Sequence, residues 1–268
     1  MGLANWIEIG RMDELARLDT PVHRIDARVK IITSIAFIVA VMSFPRYEIS
    51  ALTPYFLYPL VLVFLGRIPL GCIMRKMLVA APFALAIGVF NPIFDRAPAV
   101  VINSFVISGG WLSFASIILR FLLTVGTALT LVACTGMYRL AGGLERIGLP
   151  RIFVVQLLFL YRYLFVIADE GSRMMCSLEL RTCGPMGLTR HVYGSLVGHL
   201  LLRSMARAER IYRAMVARGF SGEIKIMRQT SLQSADWVFL LGWMAFFVAA
   251  RRWNLAAGLG SLVMGGGS

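Results

Sequence analysis

Two arginines stand where a guanidinium can do work. Arg181 and Arg218 each fall at the end of a predicted long helix, and glycine follows within three residues, at Gly184 and Gly219. The C-terminal end of a helix carries partial negative charge and favours a cation. From there the planar fork of an arginine can project into an acidic pocket on a partner and form charge-assisted hydrogen bonds. Bond-making chemistry has no comparable footing. Cys72, Cys134, Cys176 and Cys183 fall at no metal-ligand or redox spacing, and Cys134 sits inside an apolar run, so they read as small reduced hydrophobes. His23, His191 and His199 are scattered. No Gly-x-x-x-x-Gly-Lys-Ser/Thr loop is present, so the chain itself is not expected to bind ATP. The adjacent carboxylates Asp169-Glu170, a potential magnesium-diphosphate pair, lie inside a basic stretch.

The elements that must carry these arginines are membrane helices. Of 268 residues, 58% are hydrophobic and only 15% charged, and the mean hydropathy is +0.75. That is far too apolar for a soluble domain of this size and implies an all-α, polytopic membrane protein. The alternating short segments of an outer-membrane barrel are not seen. The polar first thirty residues, with Asp13, Glu14, Asp19 and Asp26, are not expected to be a cleavable leader.

Four apolar runs are expected to span, near Ile31–Phe44, Ala51–Leu65, Met77–Phe94 and Trp111–Thr135. The first two are short for a bilayer. In the third, Pro82 suggests a kink and Asn91-Pro92 an end. A last run starts near Ala235 and reaches Val248–Ala250, followed by Arg251-Arg252 and a weaker apolar stretch to Met264. This gives about five transmembrane helices, or six if that end crosses twice.

Lys and Arg set the orientation. The segment through Lys30 has five, and the stretch from Arg139 to Arg228 has fourteen, whereas the loops at Arg46 and Arg96 have one each. The N-terminus and the basic insert are therefore expected inside the cell. Ile152–Ala168 is apolar enough to cross, but crossing would leave the ten Lys/Arg from Arg173 to Arg228 outside. It is expected to pack along the inner leaflet instead. Arg120 falls inside a span, which suits either a functional role or a structural partner such as a backbone carbonyl or Asp95.

Within the insert, helix is expected from Pro150 to the Cys183-Gly184-Pro185 break, and again from about Arg190 to Arg218. In the second helix, Gly194, Val197, Gly198, Leu201, Met205, Ala208, Tyr212 and Met215 recur at three- and four-residue intervals as an apolar stripe. Gly194 and Gly198 at i, i+4 let another helix approach closely. Arg203, Arg207 and Arg210 form an opposite, basic face suited to anionic headgroups.

Three segments resemble the transmembrane T component of energy-coupling factor (ECF) transporters. Thr20-Pro21-Val22-His23-Arg24-Ile25-Asp26-Ala27-Arg28-Val29-Lys30 is similar to the family's Ser/Thr-Pro-x-His-x-x-Asp-x-Arg-x-Lys approach to its first span. Gly148-Leu149-Pro150 and Tyr161-Arg162-Tyr163 are similar to the lead into its coupling helices. Ala217-Arg218-Gly219 matches the family's Ala-Arg-Gly coupling motif, while Leu180-Arg181-Thr182 keeps the arginine without the small flanks. The stretch Arg213–Gly222 is most similar to the cobalt- and nickel-type, CbiQ-like members.

The resemblance implies a non-catalytic coupling subunit of an ATP-driven importer, most similar to those for cobalt. Its implied partners are two cytoplasmic ABC-type ATPases, which use ATP and Mg, and a membrane-embedded substrate-binding S component. No cofactor or metal is bound by the chain itself, and no nucleic acid is implied. The organisation is then a cytoplasmic segment at 1–30, four transmembrane helices at 31–135, a basic coupling-helix domain at 136–230 and a C-terminal transmembrane segment at 231–268, in the inner membrane. The alternative is a solute-carrying permease subunit of another ABC importer class.

Overall fold

In lipid, every backbone N–H and C=O must be satisfied inside the protein, so apolar runs of this length form helices. The computed structural model describes residues 16, 20–45, 50–94, 98–102, 105–181, 190–220 and 232–252. Helices dominate them: a one-turn α1 (Pro21–Arg24), α2 (Ala27–Met42), a 3₁₀ segment (Ser50–Phe56) running into α3 (Leu57–Gly66), α4 (Leu70–Phe94), α5 (Gly109–Thr135), α6 (Met137–Ile147), α7 (Arg151–Arg181), α8 (Arg190–Ala217) and α9 (Ser234–Arg252). A short antiparallel hairpin, β1 (Pro98–Ile102) with β2 (Phe105–Ser108), joins α4 to α5. The chain is an all-α polytopic membrane protein.

Four of these helices are long and apolar enough to cross a bilayer: Leu70–Phe90, Gly110–Thr135, Arg151–Arg181 and Ser234–Arg252, with Ala51–Gly66 a shorter apolar helix. The 16 residues of α2 reach only about 24 Å at 1.5 Å per residue. By length and composition α7 therefore also qualifies as a crossing helix, although the distribution of Lys and Arg argues for the inner leaflet. Pro82 does not interrupt α4, which is helical from Leu70 to Phe94 and includes the Asn91-Pro92 step. Close packing against α5 accompanies this continuity: a Cβ on Gly88 would lie 2.8 Å from Cδ2 of Phe114.

The chain divides into two compact units, one with Leu144–Gln229 and one with Met12–Gly143 and Thr230–Ser268. In the second, α2, α3, the 3₁₀ segment, α5 and α9 share a core of Phe37, Leu52, Tyr55, Tyr58, Leu123 and Phe247. Its aromatic rings interlock, Phe37 with Tyr58 at 4.9 Å and Tyr58 edge-on to Trp243 at 4.8 Å. The polar ends of the two tyrosines are satisfied. Tyr58 Oη lies 3.0 Å from Ser34 Oγ, and Tyr55 Oη donates to the carbonyl of Phe247.

Candidate functional site

The unit holding residues 144–229 is built from α7 and α8. With 31 and 28 residues they extend about 46 and 42 Å. The end of α8 is fixed by its sequence. Phe220 N–H donates to Met215 O and Gly219 N–H to Val216 O, the paired bonds of a Schellman cap. Gly219 takes φ +77°, a left-handed conformation that side-chain-bearing residues rarely adopt. Ala217 is thus the last helical residue, Arg218 the C-cap and Gly219 the residue that turns the chain away. Arg218 is exposed there. Arg181 is the exposed last residue of α7, next to Leu180 at 77% exposure. Thr182 lies outside the described residues.

Electrostatic bookkeeping separates these arginines from most of their neighbours. Arg151 pairs with Glu145, Arg173 with Asp169, Arg203 and Arg207 with Glu170, and Arg213 with Glu209. Neither guanidinium of Arg181 and Arg218 has an ion pair or hydrogen bond among the described residues. Arg162 and Arg210 share that freedom, but they sit within helices. Arg181 and Arg218 alone of these four stand at helix C-termini.

One sequence expectation changes here. Arg203 and Arg207 are not simply a headgroup-facing stripe, since both reach Glu170 on α7, at 2.8 and 3.1 Å. The glycine-containing apolar stripe is left free of α7. The approach runs through Leu200, whose Cδ2 is 3.5 Å from a Cβ built on Gly171, while Val197, Leu201, Met205 and Tyr212 are exposed. Gly194 and Gly198 are exposed, with nothing within 4 Å of an added Cβ.

The motif from Thr20 to Lys30 forms a buried clamp in the other unit. Thr20 Oγ1 lies 2.6 Å from His23 Nδ1. Asp26 caps α2 by accepting from Arg28 N–H, and its own N–H donates to Asp236 Oδ1 at 2.8 Å. Asp236 Oδ2 accepts from Gln233 N–H, closing the first turn of α9 in the manner of a capping box. Lys30, only 2% exposed, points Nζ at the carbonyl of Cys134 near the end of α5, 3.4 Å away. Arg139 on α6 donates to the carbonyls of Thr135, His23 and Ala16. Where α6 meets α2, a Cβ on Gly143 would lie 3.0 Å from Ala27 Cβ. The clamp therefore ties α1, α2, α5, α6 and α9 together.

Arg120 does the same job at the far end of α2. Its Nη2 donates to the carbonyls of Phe44 at 3.0 Å and Pro45 at 2.7 Å. Arg251 from α9 joins it, with Cζ 4.9 Å from the Phe44 ring centroid and Nη2 3.4 Å from Ser43 O. A backbone-carbonyl partner, one of the structural partners expected for Arg120, is present. Asp95 lies outside the described residues.

Asp236, Arg139, Glu170 and Arg251 were not singled out from sequence as site residues. Asp236 had a usable signal, an acidic residue in the first turn of a helix after Ser234. The partners of the other three lie on different helices, so no local pattern marks them.

The family model described as CbiQ, cobalt transport protein, matches residues 19–231. The chain belongs to this family. The match begins beside Thr20 and ends beyond Arg218, so it takes in the clamp motif and both arginine-tipped helices, and it bears out the resemblance read from sequence. Among relatives of this CbiQ-family protein, an uncharacterized protein of Methanocaldococcus jannaschii is 25% identical over 239 residues, 85% of this chain and 81% of the relative. The nickel permease LarQ of Lactiplantibacillus plantarum is 35% identical over 83 residues, 31% of this chain and 30% of LarQ. The chain is thus a multi-pass membrane protein of a cobalt transport family. Among the described residues no group of three or more His, Cys, Asp or Glu side chains is placed to hold a metal.

Proposed function

We propose that this CbiQ-family protein is the coupling T component of an ECF-type importer for cobalt or nickel, passing ATP-driven motion from two cytoplasmic ATPases to a separate S component. The observation that carries this reading is the pair of long helices, each ending in an exposed arginine without an acidic partner among the described residues. A guanidinium held at a helix C-terminus offers its donors outward to carboxylates on a partner, and the Schellman turn at Gly219 ends α8 at its C-cap, Arg218. The apolar stripe with Gly194 and Gly198 lies open on α8, and a helix of the S component suits it. ATP and Mg belong to the ATPases, the metal ion is cargo, and this subunit is non-catalytic. The abundance of Lys and Arg in both segments supports an N-terminus and an α7–α8 unit inside the cell.

Arginine substitution in the assembled transporter tests the reading. Removing one partner of a desolvated, hydrogen-bonded charge pair costs about 2–5 kcal/mol. Arg218→Ala is expected to weaken ATPase association or uncouple hydrolysis from uptake while membrane insertion stays intact. Arg181→Ala acts in the same direction, and the double variant abolishes Co²⁺ or Ni²⁺ uptake. Lysine at either position rescues only in part, because a point charge lacks the bidentate fork. A double variant that assembles with its ATPases and imports metal at the parental rate refutes the coupling role.

A further inference from the structure

α7 and α8 approach each other where Gly171 faces Leu200. One residue before that glycine, Glu170 reaches across with both carboxylate oxygens. Oε1 accepts from Arg203 Nη1 at 2.8 Å, and Oε2 accepts from Arg207 Nη2 at 3.1 Å. Arg203 and Arg207 are one helical turn apart, so a single carboxylate holds α8 both across and along α7. The pairs Arg173–Asp169 and Arg213–Glu209 instead stay within one helix and fix nothing between the two. Glu170 is also the most sheltered of these acids, with its side chain 24% exposed against 63% for Asp169 and 70% for Glu209. Val197, Leu201, Leu202 and Met205 face outward, whereas Val192, Leu196, Leu200 and Ile211 on α8 are half-buried, so the ion pairs act beside apolar packing and add direction to it.

From this crossing Arg181 lies about 15 Å along α7 and Arg218 about 27 Å along α8, at 1.5 Å per residue. Rotating α8 by about 10° around the crossing moves its tip by about 5 Å, more than the whole length of a hydrogen bond. The two coupling arginines can keep a fixed spacing only if the crossing is held.

We propose that Glu170 is a positioning residue for coupling: its two-armed ion pair to Arg203 and Arg207 sets the angle and register of α7 on α8, and so the spacing of Arg181 and Arg218. This rests on the coupling role proposed above for those arginines.

Two measurements test it. The first uses the full chain alone in lipid nanodiscs, spin-labelled at the exposed Cys176 and at Val216→Cys, with Cys72 and Cys183 changed to serine. Glu170→Gln, which keeps the side-chain shape and removes the charge, is expected to broaden the inter-label distance distribution. Exchanging the charges, with Glu170→Arg, Arg203→Glu and Arg207→Glu together, is expected to narrow it again. The second uses the complete transporter and counts Co²⁺ imported per ATP hydrolysed. Glu170→Gln is expected to lower that ratio about fivefold, the factor two partly exposed ion pairs carry together, and the exchanged trio to restore it. An unchanged distance distribution in Glu170→Gln overturns the proposal, as does a broadened one with import per ATP unaltered. If the parental chain does not assemble with ATPases at all, the coupling role falls instead, while the distance measurement still reports on the brace.

Discussion

Replacing Asp236 with alanine removes the acceptor for two backbone amides at once. Oδ1 receives the N–H of Asp26 and Oδ2 that of Gln233, both at 2.8 Å. Asp26 and Asp236 are each 4% exposed, so the Asp26 amide cannot turn to water without opening the junction of α2 and α9. A buried amide left unpaired costs about 1–3 kcal/mol. The Gln233 amide belongs to an exposed residue and regains water, so its loss resembles that of an ordinary helix N-cap, about 1 kcal/mol. The sum for Asp236→Ala is about 2–4 kcal/mol. An asparagine side chain would keep one carbonyl oxygen and turn an NH₂ toward the other amide, so Asp236→Asn is expected to lose less than the alanine variant but remain clearly destabilised. Unfolding in detergent, followed by a thiol-reactive dye in a chain with Cys72, Cys176 and Cys183 changed to serine, reads this through Cys134, which is buried beside Lys30. Glu209→Ala is the control, since its i, i+4 pair with Arg213 is exposed on both sides and carries about 0.5 kcal/mol or less. Asp236→Ala within about 0.5 kcal/mol of the parent would refute the reasoning, because changes that small are typical of surface positions.

Three more outcomes follow from the same geometry. Gly219→Val forces a β-branched residue into φ +77° and is expected to cost the last turn of α8 about 1–2 kcal/mol, seen as faster amide exchange at residues 215–220 and weaker ATPase association with Arg218 still present. Arg120→Leu withdraws the donor shared by the Phe44 and Pro45 carbonyls and is expected to lower stability by about 1–3 kcal/mol, with metal uptake falling only in proportion to folded protein. Single cysteines placed at positions 190 and 210 are expected to react with membrane-impermeant reagents only from the cytoplasmic side, and labelling from outside intact cells would show that α7 crosses the membrane.

The sequence alone determined what is encoded locally. Apolar runs specified the main membrane helices, because a helix satisfies its backbone within one segment whatever its neighbours do. The end of α8 was legible for the same reason, since a glycine at the C′ position closes the Schellman turn from residues 215 to 220 alone. The expected end at Asn91-Pro92 fell short, since α4 continues through that step to Phe94. The partners of the charged residues belonged to the tertiary structure. Asp26 meets Asp236 across 210 positions, Arg120 meets the Phe44 carbonyl across 76, and Glu170 meets Arg203 and Arg207 across 33 and 37. Helical periodicity groups residues into faces, but the crossing of two helices decides which faces meet. On α8 that decision turned Leu200 toward α7 and left the regular apolar stripe open.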